Sequence, residues 1–158
     1  MIFLFVLVVA TAASALVRRR AGLRTHARWG LAIAMVVAGI SHFLQPEPFR
    51  QHLPDAVPAR DVVVAVSGAV EIGLGLGLVV LRRYRRRAGW ALAAFLVAVF
   101  PANVYVAAAG IDVEGQPGGI YPWVRLPLQA LFIAWALWST AASPAPGVRE
   151  PDVPERAT

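Results

Sequence analysis

The 158-residue chain is 58% hydrophobic and only 15% charged, with a mean hydropathy of +0.62, a composition typical of integral membrane proteins. It contains no cysteine, which excludes disulfides, thiol redox pairs, covalently attached c-type haem and thiolate-ligated iron–sulfur clusters. Its net charge is +6, but all fifteen basic residues are arginines and ten of them form two short clusters beside apolar segments. We therefore expect contacts with anionic lipid headgroups and no nucleic-acid partner.

Five apolar segments are long enough, or nearly long enough, to cross a hydrocarbon core of about 30 Å as α-helices. They comprise residues 1–17, 29–44, 62–81, 88–109 and 123–140. The arginine clusters occupy the intervening segments 18–28 and 82–87, which contain no acidic residue, and such loops face the cytoplasm. We therefore predict an all-α membrane protein, a bundle of five transmembrane helices with its N-terminus outside and its C-terminus inside.

The first apolar segment, residues 1–17, has two interpretations. It ends in small residues, as a cleaved secretory signal does, but it lacks the basic residues with which such signals begin. We therefore interpret it as an additional, retained N-terminal transmembrane helix. At the other end of the chain, residues 141–158 contain four prolines and three acidic residues, and we interpret them as a disordered cytoplasmic tail.

The loop at residues 45–61 contains four prolines, so it is too constrained to form a long helix. We expect it to cap the outer end of the bundle. Two of its basic residues, Arg50 and His52, then have alternative roles. They either join Arg125 in a basic rim suited to an anionic group, or they pair with acidic residues of the loop itself.

Glu71 is an ionisable carboxylate in the middle of the otherwise uncharged segment 62–81. A charge at bilayer depth costs at least about 2.5–3.5 kcal/mol, so such residues usually face a bundle interior, a partner or a water-filled cavity. The other polar side chains of interest fall in the same outer half of the bundle when their depth is counted from the nearer loop. They are Ser41, His42, Ser67, Asn103, Tyr105, Arg125 and Gln129. Together these residues predict an outward-facing polar pocket.

Glycines are concentrated on the same helix as Glu71. Gly73 and Gly77 form a GxxxG pattern, which favours close packing of two helices. Gly75 lies one turn from Glu71. We expect the missing side chains of these glycines to leave room for a ligand or water beside the acid.

Two prolines interrupt the last two segments. Pro101 removes the backbone donor that would bond the carbonyl of Val97, and Pro127 does the same for the carbonyl of Trp123. Within a membrane such breaks occur where a neighbouring helix or water satisfies the backbone. We expect kinked helices with free carbonyl acceptors close to the polar residues.

His42 also has two interpretations. A lone histidine near a helix end is often only a hydrogen-bonded structural residue. Alternatively, His42 and Glu71 form a hydrogen-bonded pair that transfers a proton. Two ligands are too few for a metal site, and only Glu47 and His52 could complete one, so we predict no metal.

Four motifs, in order along the chain, resemble the DoxX family of small bacterial membrane proteins. They are residues 38–43 followed by 46–49, residues 67–76, residues 98–105 and residues 125–129, which include His42, Glu71, Asn103 and Gln129. The resemblance covers residues 29–140 and implies a four-helix membrane domain in the bacterial inner membrane, to which residues 1–17 add a helix. It further implies an association with quinone-linked redox chemistry or with redox-homeostasis complexes of the membrane.

These features lead to the hypothesis of a subunit in membrane-linked redox or envelope homeostasis whose pocket binds a quinone or lipid-like molecule. Glu71 would act as proton acceptor or carbonyl partner, with His42 as its proton partner. The ligand would be held by Ser67, Asn103, Tyr105, Arg125 and Gln129. A quinone is the candidate cofactor, and the expected partners are the lipid bilayer and membrane redox proteins.

Three alternatives are also consistent with the sequence. In a non-enzymatic scaffold or interaction protein, the polar residues would only lock the helices together. In a proton-coupled small transporter, Glu71 would exchange a proton for a cationic substrate, which requires polar groups on both sides of Glu71. An enzyme with its own turnover would have enough acid–base groups, but no residue pattern names a reaction.

Overall fold

The computed structural model describes residues 2–141 and is all-helical over that range. The α-helices are α1 (Ile2–Val17), α2 (Leu23–Leu44), α3 (Pro46–Arg50), α4 (Arg60–Val80), α5 (Arg85–Ala109) and α6 (Tyr121–Thr140). A 3-10 turn at Arg82–Tyr84 joins α4 to α5. The predicted all-α class is therefore confirmed for the described residues. The expected tail falls almost entirely on residues 142–158, which lie outside them.

Three helical stretches are long and apolar enough to cross a membrane, namely Leu23–Leu44, Arg60–Val80 and Arg82–Ala109. The 21 residues of α4 rise about 32 Å, close to the thickness of a hydrocarbon core. Large apolar side chains on these helices remain on the outside, including Val66 and Val97, which are 56% and 59% exposed. Because soluble monomers rarely expose so much contiguous apolar surface, these features indicate a membrane protein.

Two of the predicted loops are in fact helical. α2 begins at Leu23, so Arg24 and Arg28 lie on its first two turns, and the predicted loop 82–87 is a 3-10 turn followed by the start of α5. The apolar pattern stops at the arginines, but the helix does not. Arginine is a good helix former, and its long stem lets the charged group reach the headgroup region from a helical position.

The long helices alternate in direction and so place opposite chemistry at the two ends of the bundle. One end, called the arginine end here, contains the C-termini of α1, α4 and α6 and the N-termini of α2 and α5. The ten clustered arginines lie there. The other end, called the acidic end, contains α3 and the connections that follow α3 and α5. Five acidic residues lie at this end, in α3, in the first turn of α4 and in the connections, namely Glu47, Asp55, Asp61, Asp112 and Glu114.

All five long helices contribute to one apolar core. Its fully or nearly fully buried members include Leu7, Leu31, Met35, Leu78, Leu92 and Ala136. α1 is the shortest of the five, but it is part of this core. Phe3 lies against Phe132 of α6 with a distance of 4.7 Å between ring centroids, and a side chain at Gly30 of α2 would collide with Thr11. Removal of α1 would therefore expose core side chains of two other helices.

A close contact between backbones joins α2 to α4 through glycine. A Cβ atom at Gly39 would lie 2.6 Å from the carbonyl oxygen of Gly68, and one at Gly68 would lie 2.6 Å from the Cβ of His42. Such distances leave no space for any side chain. The two backbones can approach this closely only because both positions are glycine.

The predicted GxxxG pair is not this interface. Gly73 has no atom within 4 Å of the place where a Cβ would lie, whereas Gly75, seven residues from Gly68 and on the same helix face, has the carbonyl oxygen of Ala32 at 2.9 Å. Gly75 therefore admits the backbone of α2. The expectation that it leaves room for a ligand beside Glu71 is wrong, because α2 occupies that space.

Candidate functional site

A cap of residues 46–59 covers part of the acidic end, as the proline-rich sequence predicts. It begins with the short helix α3, whose first residue is Pro46, a position where the missing backbone donor is not needed. Phe49 of this helix stacks on the imidazole of His42, with ring centroids 3.6 Å apart and an angle of 29° between the planes. The cap thus closes one face of the histidine and buries it.

The imidazole of His42 bridges α2 to α4. Its Nδ1 atom lies 3.0 Å from the carbonyl oxygen of Val64 and 3.0 Å from the hydroxyl of Ser67, and that hydroxyl lies 2.9 Å from the same carbonyl. A carbonyl oxygen only accepts hydrogen bonds. We therefore assign the ring proton to Nδ1, which donates to Val64, and the neutral ring then has a bare nitrogen at Nε2.

Glu71 lies on the Nε2 side of the same ring. Its Oε2 atom is 3.5 Å from Nε2, too long for a well-formed hydrogen bond. Oε2 is also the one buried side-chain polar atom of residues 2–141 that has no hydrogen-bond partner. The Glu71 side chain as a whole keeps 14% of its surface exposed. A buried, unpartnered carboxylate oxygen is costly, so this atom is the position of the site where a further donor or acceptor would be stabilising.

The arrangement favours one proton shared between His42 and Glu71. With Nδ1 already protonated, a neutral histidine and an ionised carboxylate would place two lone pairs opposite each other. One added proton converts this repulsion into attraction, either as a carboxylic acid facing a neutral imidazole or as a carboxylate facing an imidazolium. The two forms differ only in which atom holds the proton, which is the property required of the predicted proton-transfer pair.

Arg125 forms a second group at the acidic end. Its Nη1 donates to Nε2 of His52 at 2.8 Å and to Oε1 of Gln116 at 2.7 Å. His52 Nδ1 in turn donates to the carbonyl of Pro48 at 2.7 Å, so the ring must be neutral with its proton on Nδ1. Burial, and next the positive charge of Arg125, lower the pKa of His52 to about 4. The sequence does not predict Gln116 as a partner of Arg125, because it lies in an irregular connection.

Arg50, the other basic residue of the cap, takes the second of the two roles predicted for it. It pairs with Glu47 at 2.9 Å and with Asp61 at 2.7 Å. The hydrogen bond that Arg50 donates to the Asp61 carboxylate raises the pKa of Arg50. The basic rim therefore consists of His52 and Arg125 without Arg50. Glu47 and His52 are also engaged apart from the His42–Glu71 pair, and no cluster of three potential metal ligands exists within residues 2–141.

Asn103 and Gln129 form a third group, between α5 and α6. The Asn103 side-chain amide donates to Oε1 of Gln129 at 2.6 Å, and the Gln129 amide donates to the carbonyl of Leu96. The sequence predicted a free acceptor at the carbonyl of Val97, whereas the carbonyl that Gln129 bonds belongs to the preceding residue, Leu96. Pro101 lies inside α5, and the buried Gln129 amide bonds the carbonyl of Leu96 in the turn before this proline.

A double-mutant cycle tests how strongly α5 and α6 depend on this group. We expect Asn103→Ala and Gln129→Ala to destabilise the protein individually and to be non-additive, with a coupling of about 1–2 kcal/mol, because each side chain leaves the other unsatisfied. Reversible unfolding in detergent of the wild type, both single variants and the double variant measures the coupling. Additive effects would show that the short contact contributes little.

The remaining predicted site residues do not join these groups. Ser41 donates to the carbonyl of Ala38 within its own helix, and Tyr105 makes no side-chain hydrogen bond within residues 2–141. No hydrogen bond in the described part of the chain connects the three groups to one another. Two cavities of residues 2–141 lie at the arginine end, and Glu71 lines neither. The hydrogen bonds of the polar residues thus form three separate clusters.

Comparison with known proteins gives one match. The family model described as Domain of unknown function (DUF8561) matches residues 31–140, from within α2 to the last residue of α6. No curated protein and no solved structure matches the chain. Because the matched range comprises more than half of the sequence, the protein belongs to the DUF8561 family.

Proposed function

We propose that this protein is a multi-pass protein of the bacterial inner membrane with five transmembrane helices, its N-terminus outside and its arginine end in the cytoplasm. The packing of α1 and α6 into the same core as the three long apolar stretches supports the count of five. The orientation is supported by the two arginine clusters at residues 18–28 and 82–87, which contain no acidic residue, since such segments stay on the cytoplasmic side.

The proposed function is the binding of a quinone or lipid-like molecule at the His42–Glu71 pair, in a membrane redox or envelope-homeostasis complex of the DoxX type. The observation that carries it is the buried Glu71 Oε2 atom without a hydrogen-bond partner. A quinone carbonyl accepts a hydrogen bond from a protonated Glu71, and a quinol or lipid hydroxyl donates one to an ionised Glu71. A pair that shares one proton suits both ligand forms.

The ligand is expected to reach this pair from the bilayer. Glu71 belongs to a helix whose neighbouring residues, Val66 and Val70, are exposed where lipid would lie, and the carboxylate itself is not fully covered. Phe49 covers one face of the His42 ring. A quinone or lipid already resides in the hydrocarbon phase, so it needs no aqueous channel to arrive.

The test is binding of a short-chain benzoquinone and its quinol to the purified protein in mild detergent, combined with mass spectrometry of co-purified lipids and quinones. We compare the wild type with Glu71→Gln and with Glu114→Gln, which makes the same chemical change at an exposed carboxylate of the same end. A hydrogen bond to an ionisable group contributes about 1.5–3 kcal/mol, so its loss predicts roughly 10–100-fold weaker binding by Glu71→Gln. We expect Glu114→Gln to bind as the wild type does. Equal binding by three folded proteins would refute the site.

A scaffold is the second candidate, and one specific observation favours it. Both the Asn103–Gln129 group and the Arg125–His52 group are satisfied by contacts between different parts of the chain, as expected of residues that lock a bundle. The scaffold predicts that Glu71→Gln alters stability while leaving the content of co-purified quinones and lipids unchanged. The same comparison therefore separates the two candidates.

A further inference from the structure

The arginine end contains a cavity of about 230 Å³ between the end of α1, the start of α2 and the connection of α4 to α5. Its polar and aromatic lining consists of Arg18, Thr25, Arg28, Trp29, Arg82 and Arg85. No carboxylate of residues 2–141 lines it. Four guanidinium groups around so small a space repel one another, and burial strengthens this repulsion.

Arg28 is the central residue of this cavity because it is itself buried, with only 9% of its surface exposed. Its Nη1 atom donates to the carbonyl of Ser139, at the C-terminus of α6, over 3.3 Å. A helix C-terminus carries only a fraction of a negative charge. Arg28 forms no ion pair within the described part of the chain, although buried charges are normally paired. The structure thus retains a buried cation that an anion in the cavity would neutralise.

Other contacts hold the surrounding arginines in place without neutralising them. The guanidinium of Arg18 lies over the indole ring of Trp29, 4.2 Å from the ring centroid. Arg85 donates from Nε to the carbonyl of Arg82 over 3.2 Å. Aromatic and carbonyl partners restrict the motion of a guanidinium but leave its full charge and several donors available. Such a set of donors is preorganised for an anion.

We propose that this cavity binds the phosphate group of an anionic ligand, either a phospholipid or free phosphate. Guanidinium groups match the geometry of phosphate oxygens through paired hydrogen bonds. The cavity lies at the helix ends, at the depth of lipid headgroups, where basic pockets between helices bind anionic lipids. This site is at the opposite end of the bundle from His42 and Glu71 and does not depend on their role.

Titrations of the full-length protein in detergent test the proposal with three probes, namely phosphatidylglycerol, inorganic phosphate and uncharged diacylglycerol. Thermal stabilisation and native mass spectrometry report binding. The cavity variant carries Arg18→Gln and Arg82→Gln, two exposed positions whose change should not impair folding. The matched control carries Arg19→Gln and Arg83→Gln, which remove the same charge from adjacent residues outside the cavity.

We expect the wild type and the control to bind phosphatidylglycerol or inorganic phosphate equally, the cavity variant to bind at least tenfold more weakly, and none to bind diacylglycerol specifically. Dependence of phosphatidylglycerol binding alone on the cavity identifies a lipid, whereas the same dependence for inorganic phosphate identifies a free anion. Equal losses in both double variants would mean non-specific attraction to a basic surface and would overturn the proposal. Equal binding by all three proteins would also overturn it.

Discussion

Replacement of Gly68 by alanine is expected to lower the free energy of unfolding by about 3 kcal/mol, at the upper end of the usual cost of overpacking. The new Cβ would lie 2.6 Å from the Cβ of His42 and 2.9 Å from the carbonyl oxygen of Gly39. Neither atom belongs to a flexible side chain that could move aside. Relief therefore requires that α2 and α4 separate, and because His42 lies at the contact, its alignment with Glu71 is lost as well.

Gly73→Ala is the matched control for this prediction. It makes the same substitution on the same helix, but no atom other than the adjoining residues and backbone of α4 itself lies within 4 Å of the added methyl group. We expect an unchanged protein, or one stabilised by up to about 1 kcal/mol through the higher helix propensity of alanine. Thermal unfolding in detergent measures the stability of both variants, and Gly68→Ala should melt on the order of 6–12 °C below the wild type. Equal melting temperatures would show that α2 and α4 do not approach as described.

The comparison of these glycines illustrates what the sequence could predict about packing. The concentration of glycine around Glu71 correctly indicated a close helix contact on α4. The sequence pattern selected Gly73 and Gly77 because their spacing matches a common motif. The contact instead uses Gly68 and Gly75, because these lie on the face that meets α2. A spacing rule identifies residues that share a helix face, but only the tertiary arrangement decides which face is covered.

The site residues were predictable to the extent that depth in the bilayer determines position. Counting residues from the loops placed His42 and Glu71 at neighbouring depths on two helices, and the structure brings their side chains within 3.5 Å. Depth does not give the angle around the bundle axis. Asn103 and Arg125 have comparable depth yet belong to separate clusters with their own partners. Gln116 was not predicted as a partner of Arg125 because loop conformation is not periodic.

Acidification is expected to destabilise the cap through His52. In the folded protein the pKa of His52 is lowered to about 4 by burial and by Arg125, with a smaller contribution from His42. In the unfolded chain the pKa returns to its ordinary value near 6.5. Between these values the unfolded state binds more protons at His52 than the folded state, so the contribution of His52 to stability falls as the pH falls from about 6.5 to 4 and changes no further below that window.

The expected loss over this window is about 3 kcal/mol, since each unit of pKa difference corresponds to roughly 1.4 kcal/mol. A protonated ring would turn Nε2 from an acceptor into a donor facing the Arg125 guanidinium, which is the physical source of the loss. His52→Gln keeps an acceptor for Arg125 and cannot titrate, so the difference between the unfolding curves of wild type and variant at pH 7, 5.5 and 4 isolates this contribution. If the two proteins lose stability in parallel, the pH dependence arises elsewhere and His52 does not hold the cap to α6 as a neutral acceptor.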